Sequence, residues 1–238
     1  MAKTKKTKKP KALDNTFIVW RGISALDNET TIVVLATLRS ANEKTGDMTQ
    51  FYILVDGDLP PSQVKKLGFD AGICGDCPAK KHCYVVLIHG PDAVFRAYKT
   101  GRCLPFDLNW LSGRGARIGA YGDPAAVPEF VWQSVKDHAR FITGYSHFWN
   151  KFQWLNKFVQ ASVESFDFAE KAQAMGFKTF RTVSSTAELT EDEVICPNHI
   201  NKYVQCRDCK LCNGQKVNVI NPVHGSYKKH FPIAVVAA

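Results

Sequence analysis

The chain has 238 residues, of which 45% are hydrophobic and 11% aromatic, enough for a packed core and too many for a disordered chain. Its net charge of +9 is uneven, because Lys3, Lys5, Lys6, Lys8, Lys9 and Lys11 crowd the first dozen residues and leave the remainder only mildly basic. No secretory apolar stretch follows those lysines, and the longest apolar runs, 31–38 and 84–88, are too short to cross a bilayer, so a cytoplasmic protein is expected.

In chain order, residues 1–12 lack apolar periodicity and are expected to be a disordered tail. Such a tail could hold the phosphates of DNA or RNA by releasing counterions, or simply keep the protein soluble. Residues 13–238 read as a single α/β domain. Its first part, 13–72, is β-rich: extended runs at 17–20, 31–38 and 49–55, a turn at 42–46, a loop at 56–61, and a short helix over 63–68 with Ser62 as its N-cap. Residues 73–103 hold the first cysteine group and a helix over 92–100 that Gly101 closes.

From residue 117 the chain becomes rhythmic. Strands are expected at 117–121, 141–145, 159–163 and 178–183, with helices between them at 127–139, 148–158 and 166–175. The second cysteine group, 196–212, interrupts the rhythm, and a strand at 216–223 resumes it. Alternation of this kind predicts βαβ units and a parallel sheet, either a partial (β/α) barrel or a doubly wound sheet. In both, a site belongs beyond the C-terminal ends of the strands.

Those ends carry Gly122 and Asp123, Tyr145 and His147, Glu164, and His224. Together they suggest a polar cleft, with Asp123, His147 and His224 as candidate catalytic groups and Gly122, Tyr145 and Glu164 as candidate cofactor-binding residues. Each also has a plainer reading, since Asp123 between Gly122 and Pro124 is a good helix N-cap. Phe148, Trp149, Phe152 and Trp154 have the look of a base-stacking platform, but at these spacings they fit the core face of a helix better.

Seven of the eight cysteines fall into two groups with the two-residue spacing of metal ligands. Cys74, Cys77 and Cys83 form a C-x2-C-x5-C arrangement, with Gly75 and Pro78 shaping a tight turn. This admits two readings: a closed zinc site completed by His82 or Cys103, or a four-iron cluster with one iron open to a further ligand. Cys196, Cys206, Cys209 and Cys212 supply four thiolates, sufficient for tetrahedral zinc or a fully ligated iron–sulfur cluster, and the C-x2-C-x2-C run has ferredoxin-like spacing.

These segments together resemble a family of bacteriophage and prophage proteins to which no activity is attached. The matching pieces are Asn42 to Gln50, Ile73 to Pro78 with Cys83 to Val85, and Arg117 to Pro128. They continue with Thr143 to His147, Phe180 and Arg181, Cys196 and Pro197, Cys206 to Gly214, and His224 with Gly225. More distantly the layout is similar to phage proteins with a radical-S-adenosylmethionine-like partial barrel, although the first cysteine group departs from the C-x3-C-x2-C spacing usual in radical enzymes. The resemblance implies a metalloprotein of a bacterial host cell's cytoplasm, with an iron–sulfur cluster or zinc at two sites and S-adenosylmethionine as a conceivable cosubstrate. Three functions remain open: a metalloenzyme acting on a nucleic acid or nucleotide, a zinc-stabilised nucleic-acid-binding protein without catalysis, and a phage inhibitor of a host enzyme.

Overall fold

In a computed structural model of the protein, residues 15–223, Lys228 and Phe231 are described. The lysine tail and His224 with Gly225 lie outside these residues. The chain opens with β1 (Thr16–Ile23), β2 (Thr31–Thr37) and β3 (Thr49–Val55), paired antiparallel in that order. β4 (Gly115–Tyr121) then joins β3 in parallel, and β5 (Phe141–Thr143) joins β4 in parallel, completing a first sheet in sequential order.

The second sheet is parallel throughout. It orders β6 (Tyr145–Ser146), β7 (Gln160–Val163), β8 (Thr179–Val183), β10 (Asn218–Pro222) and β9 (Glu193–Ile195). Only Gly144 separates β5 from β6, so one run of chain passes from the first sheet into the second, and the Gly144 carbonyl accepts a hydrogen bond from Gln160 N at 3.1 Å. The molecule is thus a mixed α/β fold with two parallel-rich sheets, as the βα rhythm predicts. Among the described residues no pairing joins the outer strands β1 and β9, so the sheets do not close into a barrel.

Among the described residues seven α-helices accompany the sheets: α1 (Pro61–Leu67), α2 (Ala71–Cys74), α3 (Pro91–Lys99), α4 (Glu129–His138), α5 (Phe166–Ala174), α6 (Pro197–Ile200) and α7 (Cys206–Cys209). α3 packs on β1, β2 and β3, α4 on β4, and α5 on β7 and β8. Ile32 to Ala36 of β2 are fully buried without alternation, because layers cover both faces of that strand. On the α4 side the core is aromatic: Phe51 meets Trp132 and Phe106 edge to face, and Trp132 Nε1 donates to the Pro124 carbonyl at 2.9 Å. Among the described residues no helix is long and apolar enough to cross a membrane.

Two local expectations are corrected. Pro60, not Ser62, caps α1, while the Ser62 N–H and hydroxyl both donate to Asp92, which pins the start of α1 to the start of α3. The segment 148–158 is a turn followed by a 3-10 helix over Gln153–Lys157 rather than an α-helix. The Phe148 N–H is taken by the Ser146 hydroxyl, which ends β6 in a side-chain-anchored turn. Phe148, Trp149, Leu155 and Phe158 are nevertheless buried, so the aromatics serve the core. The edge strand β9 escapes the sequence reading because it is three residues long and begins with an acidic residue.

Candidate functional site at the strand ends

α2 brings Cys74 to its C-terminus, and Gly75, at φ +45°, turns the chain so that Cys77 follows at once. A Cβ on Gly75 would sit 2.5 Å from the Phe148 ring, so close approach as well as the positive φ requires glycine there. The segment is fastened to β4 by the Asp123 N–H, which donates to the Ile73 carbonyl at 2.7 Å. The first cysteine group therefore lies at the C-terminal end of β4, where a parallel sheet places its sites.

Asp123 is buried, and three donors surround its carboxylate. Ala125 N (2.9 Å) and the Ser146 hydroxyl (2.7 Å) reach Oδ1, and His147 N (3.0 Å) reaches Oδ2. It caps the 3-10 turn Pro124–Ala126 and at the same time fixes the end of β6. Burial pushes its carboxyl upward, and the hydrogen bonds from Ser146, Ala125 and His147 pull against that. The bond from His147 N ties its carboxylate to the His147 backbone. Gly122 has φ +77°, and a Cβ there would meet Ile53 at 2.7 Å, so the backbone that approaches Gly122 is that of β3.

His147 links the strand ends to the cysteines. Nδ1 stands 3.5 Å from Cys77 Sγ, and Nε2 stands 3.1 Å from Oε1 of Glu164, the residue just past β7. Burial would lower the imidazole pKa, but Cys77 and Glu164 outweigh it and hold the ring well above its usual range. Asp123, His147 and Glu164, placed at three strand ends by sequence, are therefore contiguous with the first cysteine group. His224 lies outside the described residues, as does the side chain of His82.

Around Cys74 the groups are acidic. Burial raises its thiol pKa most, followed by Asp70, Cys77, Cys83 and Asp123. Asp70 is fully buried, has Lys80 Nζ at 2.7 Å as its ion partner, and has no geometrically sound hydrogen bond on either oxygen. The buried Tyr121 hydroxyl also lacks a partner, and Cys74 and Asp70 are among the groups that act on it. Three thiols beside Asp70 and the Tyr121 hydroxyl, which has no hydrogen-bond partner among the described residues, fit a cationic group, because thiolates gathered there would need a counter-charge beyond Lys80. Cys103 stands apart from them: burial alone shifts its thiol.

The second group forms differently. Cys196 follows β9 and donates its N–H to Ile220 of β10 at 2.8 Å, while α7 carries Cys206 and Cys209. Lys210, at φ +58°, reverses the chain after α7. All four cysteines line one recess, together with Lys44, Tyr145, Phe180 and Lys210. Cys212 is pushed up to about 12 by burial and eased by a hydrogen bond with the Tyr145 hydroxyl. Burial raises the Cys206 thiol pKa, with Arg117 and then Lys44 pulling against it. Four thiols with nearby cations and a hydroxyl donor suit a ligated metal or cluster bearing net negative charge. None of the eight cysteines is disulfide-bonded. Among the described residues, no three His, Cys, Asp or Glu side chains are gathered as tightly as they would be around an ion.

Sequence reading missed two features. The turn at 42–46, read only as a reversal, docks the second group: Cys206 N and Arg207 N donate to the carbonyls of Lys44 and Thr45 at 3.0 and 3.1 Å. Ser146, a small residue inside the motif, anchors both Asp123 and Phe148, and no spacing rule points to it. Comparison with family models, curated proteins and solved structures finds no match to this chain, so the reading of the site rests on its own geometry.

Proposed function

We propose that the protein is a phage-type metalloenzyme acting on a nucleotide or nucleic acid, built on a partial (β/α) barrel that carries two cysteine-rich metal-binding insertions. Cys74, Cys77 and Cys83 would hold an iron–sulfur cluster in the cleft, and Cys196, Cys206, Cys209 and Cys212 a second, fully ligated centre. The observation that carries this reading is His147, which stands between Cys77 and Glu164 and ties the first cysteine group to the ends of β4, β6 and β7.

When bound, a cluster with three cysteine ligands supplies an electron and one open iron position, the requirement for S-adenosylmethionine-type radical chemistry. The chain's own residues supply the setting. Asp123 holds the His147 backbone, Glu164 fixes the imidazole Nε2, and Nδ1 faces Cys77. In the protonated form that Cys77 and Glu164 favour, His147 donates from both nitrogens, toward Cys77 Sγ and Glu164 Oε1. The buried aromatic floor of Phe148 and Trp149 keeps water from that side. The lysine tail would add non-specific attraction for a polyanion.

Protein purified without oxygen should be brown, with iron and acid-labile sulfide in both centres. Replacing Cys74, Cys77 and Cys83 together by serine should remove one centre's iron and leave the other's. Colourless protein holding zinc alone would replace this reading with the zinc-stabilised nucleic-acid binder. Folded protein with no metal and eight titratable thiols would end both.

A further inference from the structure

We propose that Arg117 is the phosphate-recognition residue of a nucleotide site lying between the two cysteine groups. This deepens the function proposed above by naming how its substrate class is held. For catalysis it rests on that reading, but the binding itself can be tested apart from it.

Arg117 lies mid-way along β4, opposite Gln50 of β3 and Thr143 of β5. Its neighbours Ala116 and Ile118 are buried in the core, so strand alternation sends Arg117 to the other face. There its Nη2 donates to the hydroxyl of Tyr84 at 3.2 Å, and Tyr84 directly follows Cys83 of the first group. Tyr145, Cys206 of the second group and Tyr52 are the other groups that act on the guanidinium. The guanidinium thus bonds the residue next to the first cysteine group and feels a thiol of the second.

What it lacks is an anion. Among the described residues no carboxylate lies within 4 Å of Arg117. The other recessed arginines have carboxylate partners, Arg181 in Glu193 at 2.6 Å and Arg114 in Asp47 at 3.1 Å. A guanidinium carries five donors in a planar fork, and the one protein acceptor here leaves most of them for an oxyanion.

The surroundings favour a phosphate attached to a planar ring. Tyr84 bonds the cation, Tyr145 and Tyr52 act on it electrostatically, and a ring held near an arginine offers a stacking surface to any base. Tyr84 is 61% exposed, so its ring face is uncovered. Tyr145 has its hydroxyl engaged by Cys212 and its ring set against Phe180 at 4.4 Å, which leaves the ring as the contact it presents. Lys44, on the wall of the adjoining recess, is a second cation within the same region. A nucleoside phosphate, free or within a single strand, meets all of these features.

The test is calorimetric titration of metal-replete, anaerobically prepared protein with the four ribonucleoside monophosphates. The matching nucleosides, inorganic phosphate and a short single-stranded oligonucleotide serve as separate arms. At least one monophosphate or the oligonucleotide should bind, and the nucleosides much more weakly. Arg117→Gln should weaken that binding by about tenfold or more with metal content unchanged, because a charge-assisted fork is lost. Tyr84→Phe, which only releases the guanidinium, should weaken it by about threefold, and it carries the test if the arginine variant does not fold. Tighter binding of the oligonucleotide, equally sensitive to Arg117, would make a strand the source of the phosphate, and binding of monophosphates alone would make it a free nucleotide.

The proposal is overturned if wild-type protein binds neither, if Arg117→Gln binds them unchanged, or if that variant loses metal from the second group, which would make Arg117 a counter-charge for Cys206. Metal is measured on the same samples. Metal-free protein that still binds through Arg117 would remove the enzyme reading and leave this one standing.

Discussion

A single carboxylate organises the strand ends. Asp123 accepts from Ala125 N, Ser146 Oγ and His147 N, so its removal leaves three buried or half-buried donors without an acceptor. Asp123→Ala should cost about 2–3 kcal/mol, measured by urea denaturation, because unmet buried donors dominate such losses. Asp123→Asn keeps the shape and one acceptor oxygen, so it should lose less stability. If Asp123 were a free catalytic base, the alanine variant would instead keep its stability and lose only turnover. The sequence made the cap visible, since Gly-Asp-Pro is strand-to-helix chemistry, but it could not show the long-range partners. Ser146 and His147 are 23 and 24 residues away, and only folding brings their donors to the same carboxylate.

Between elements, the buried pair of Arg181 on β8 and Glu193 on β9 connects strands that are not neighbours in the sheet. Arg181 Nε and Nη2 donate to the two Glu193 oxygens at 2.8 and 2.6 Å, and both side chains are almost fully buried. Burial alone would raise the Glu193 carboxyl, but hydrogen bonds from Arg181 and Thr190 overcome it and set the folded pKa below the ordinary value. A depressed carboxylate contributes stability that is fully present above its unfolded pKa of about 4.3 and is lost as pH falls through the folded value. Denaturation midpoints should therefore drop below about pH 4 in the wild type. Glu193→Gln should flatten that acid limb and destabilise the protein by about 3 kcal/mol at neutral pH, where it leaves the buried arginine only Glu188, at 3.7 Å, as a charged partner. An acid limb unchanged in the variant would assign the loss to other carboxylates. At this scale the sequence was legible wherever an element had a full apolar face, as β2, β4, α4 and α5 do. It failed at β9, whose Glu193 is inward-facing because of Arg181, and over 148–158, where helical spacing of aromatics is met by a turn and a 3-10 segment. At β9 a partner 12 residues away decides the local conformation, and over 148–158 the hydroxyl of Ser146 does.

Across the whole molecule, the two sheets are joined through Gly144 and again where the turn at 42–46 receives α7. The second junction consists of three hydrogen bonds from the second cysteine segment: Cys206 N to Lys44, Arg207 N to Thr45, and Gln205 Nε2 to the Glu43 carbonyl at 3.0 Å. All four cysteines of that group sit on short, irregular chain between β9 and β10, where α6 and α7 have four residues each. Helices of one turn do not hold themselves, because nucleation fixes several dihedrals for a single bond. A bound metal would supply that missing order, as metal binding to loose cysteine-rich segments becomes folding free energy. Removing it should therefore act across the junction as well as within the cysteine loop. Hydrogen exchange on chelator-treated protein should show faster exchange at the amides of Cys206, Arg207, Cys209 and Lys210, with the core amides of Val33 and Leu35 unchanged. Cys206→Ser with Cys209→Ser should reproduce that pattern without a chelator, since two lost ligands leave the group unable to close a four-coordinate site. Equal protection of the 205–210 amides before and after metal removal would mean that the docking on the 42–46 turn stands by itself, and the second group would then have no structural claim on a metal.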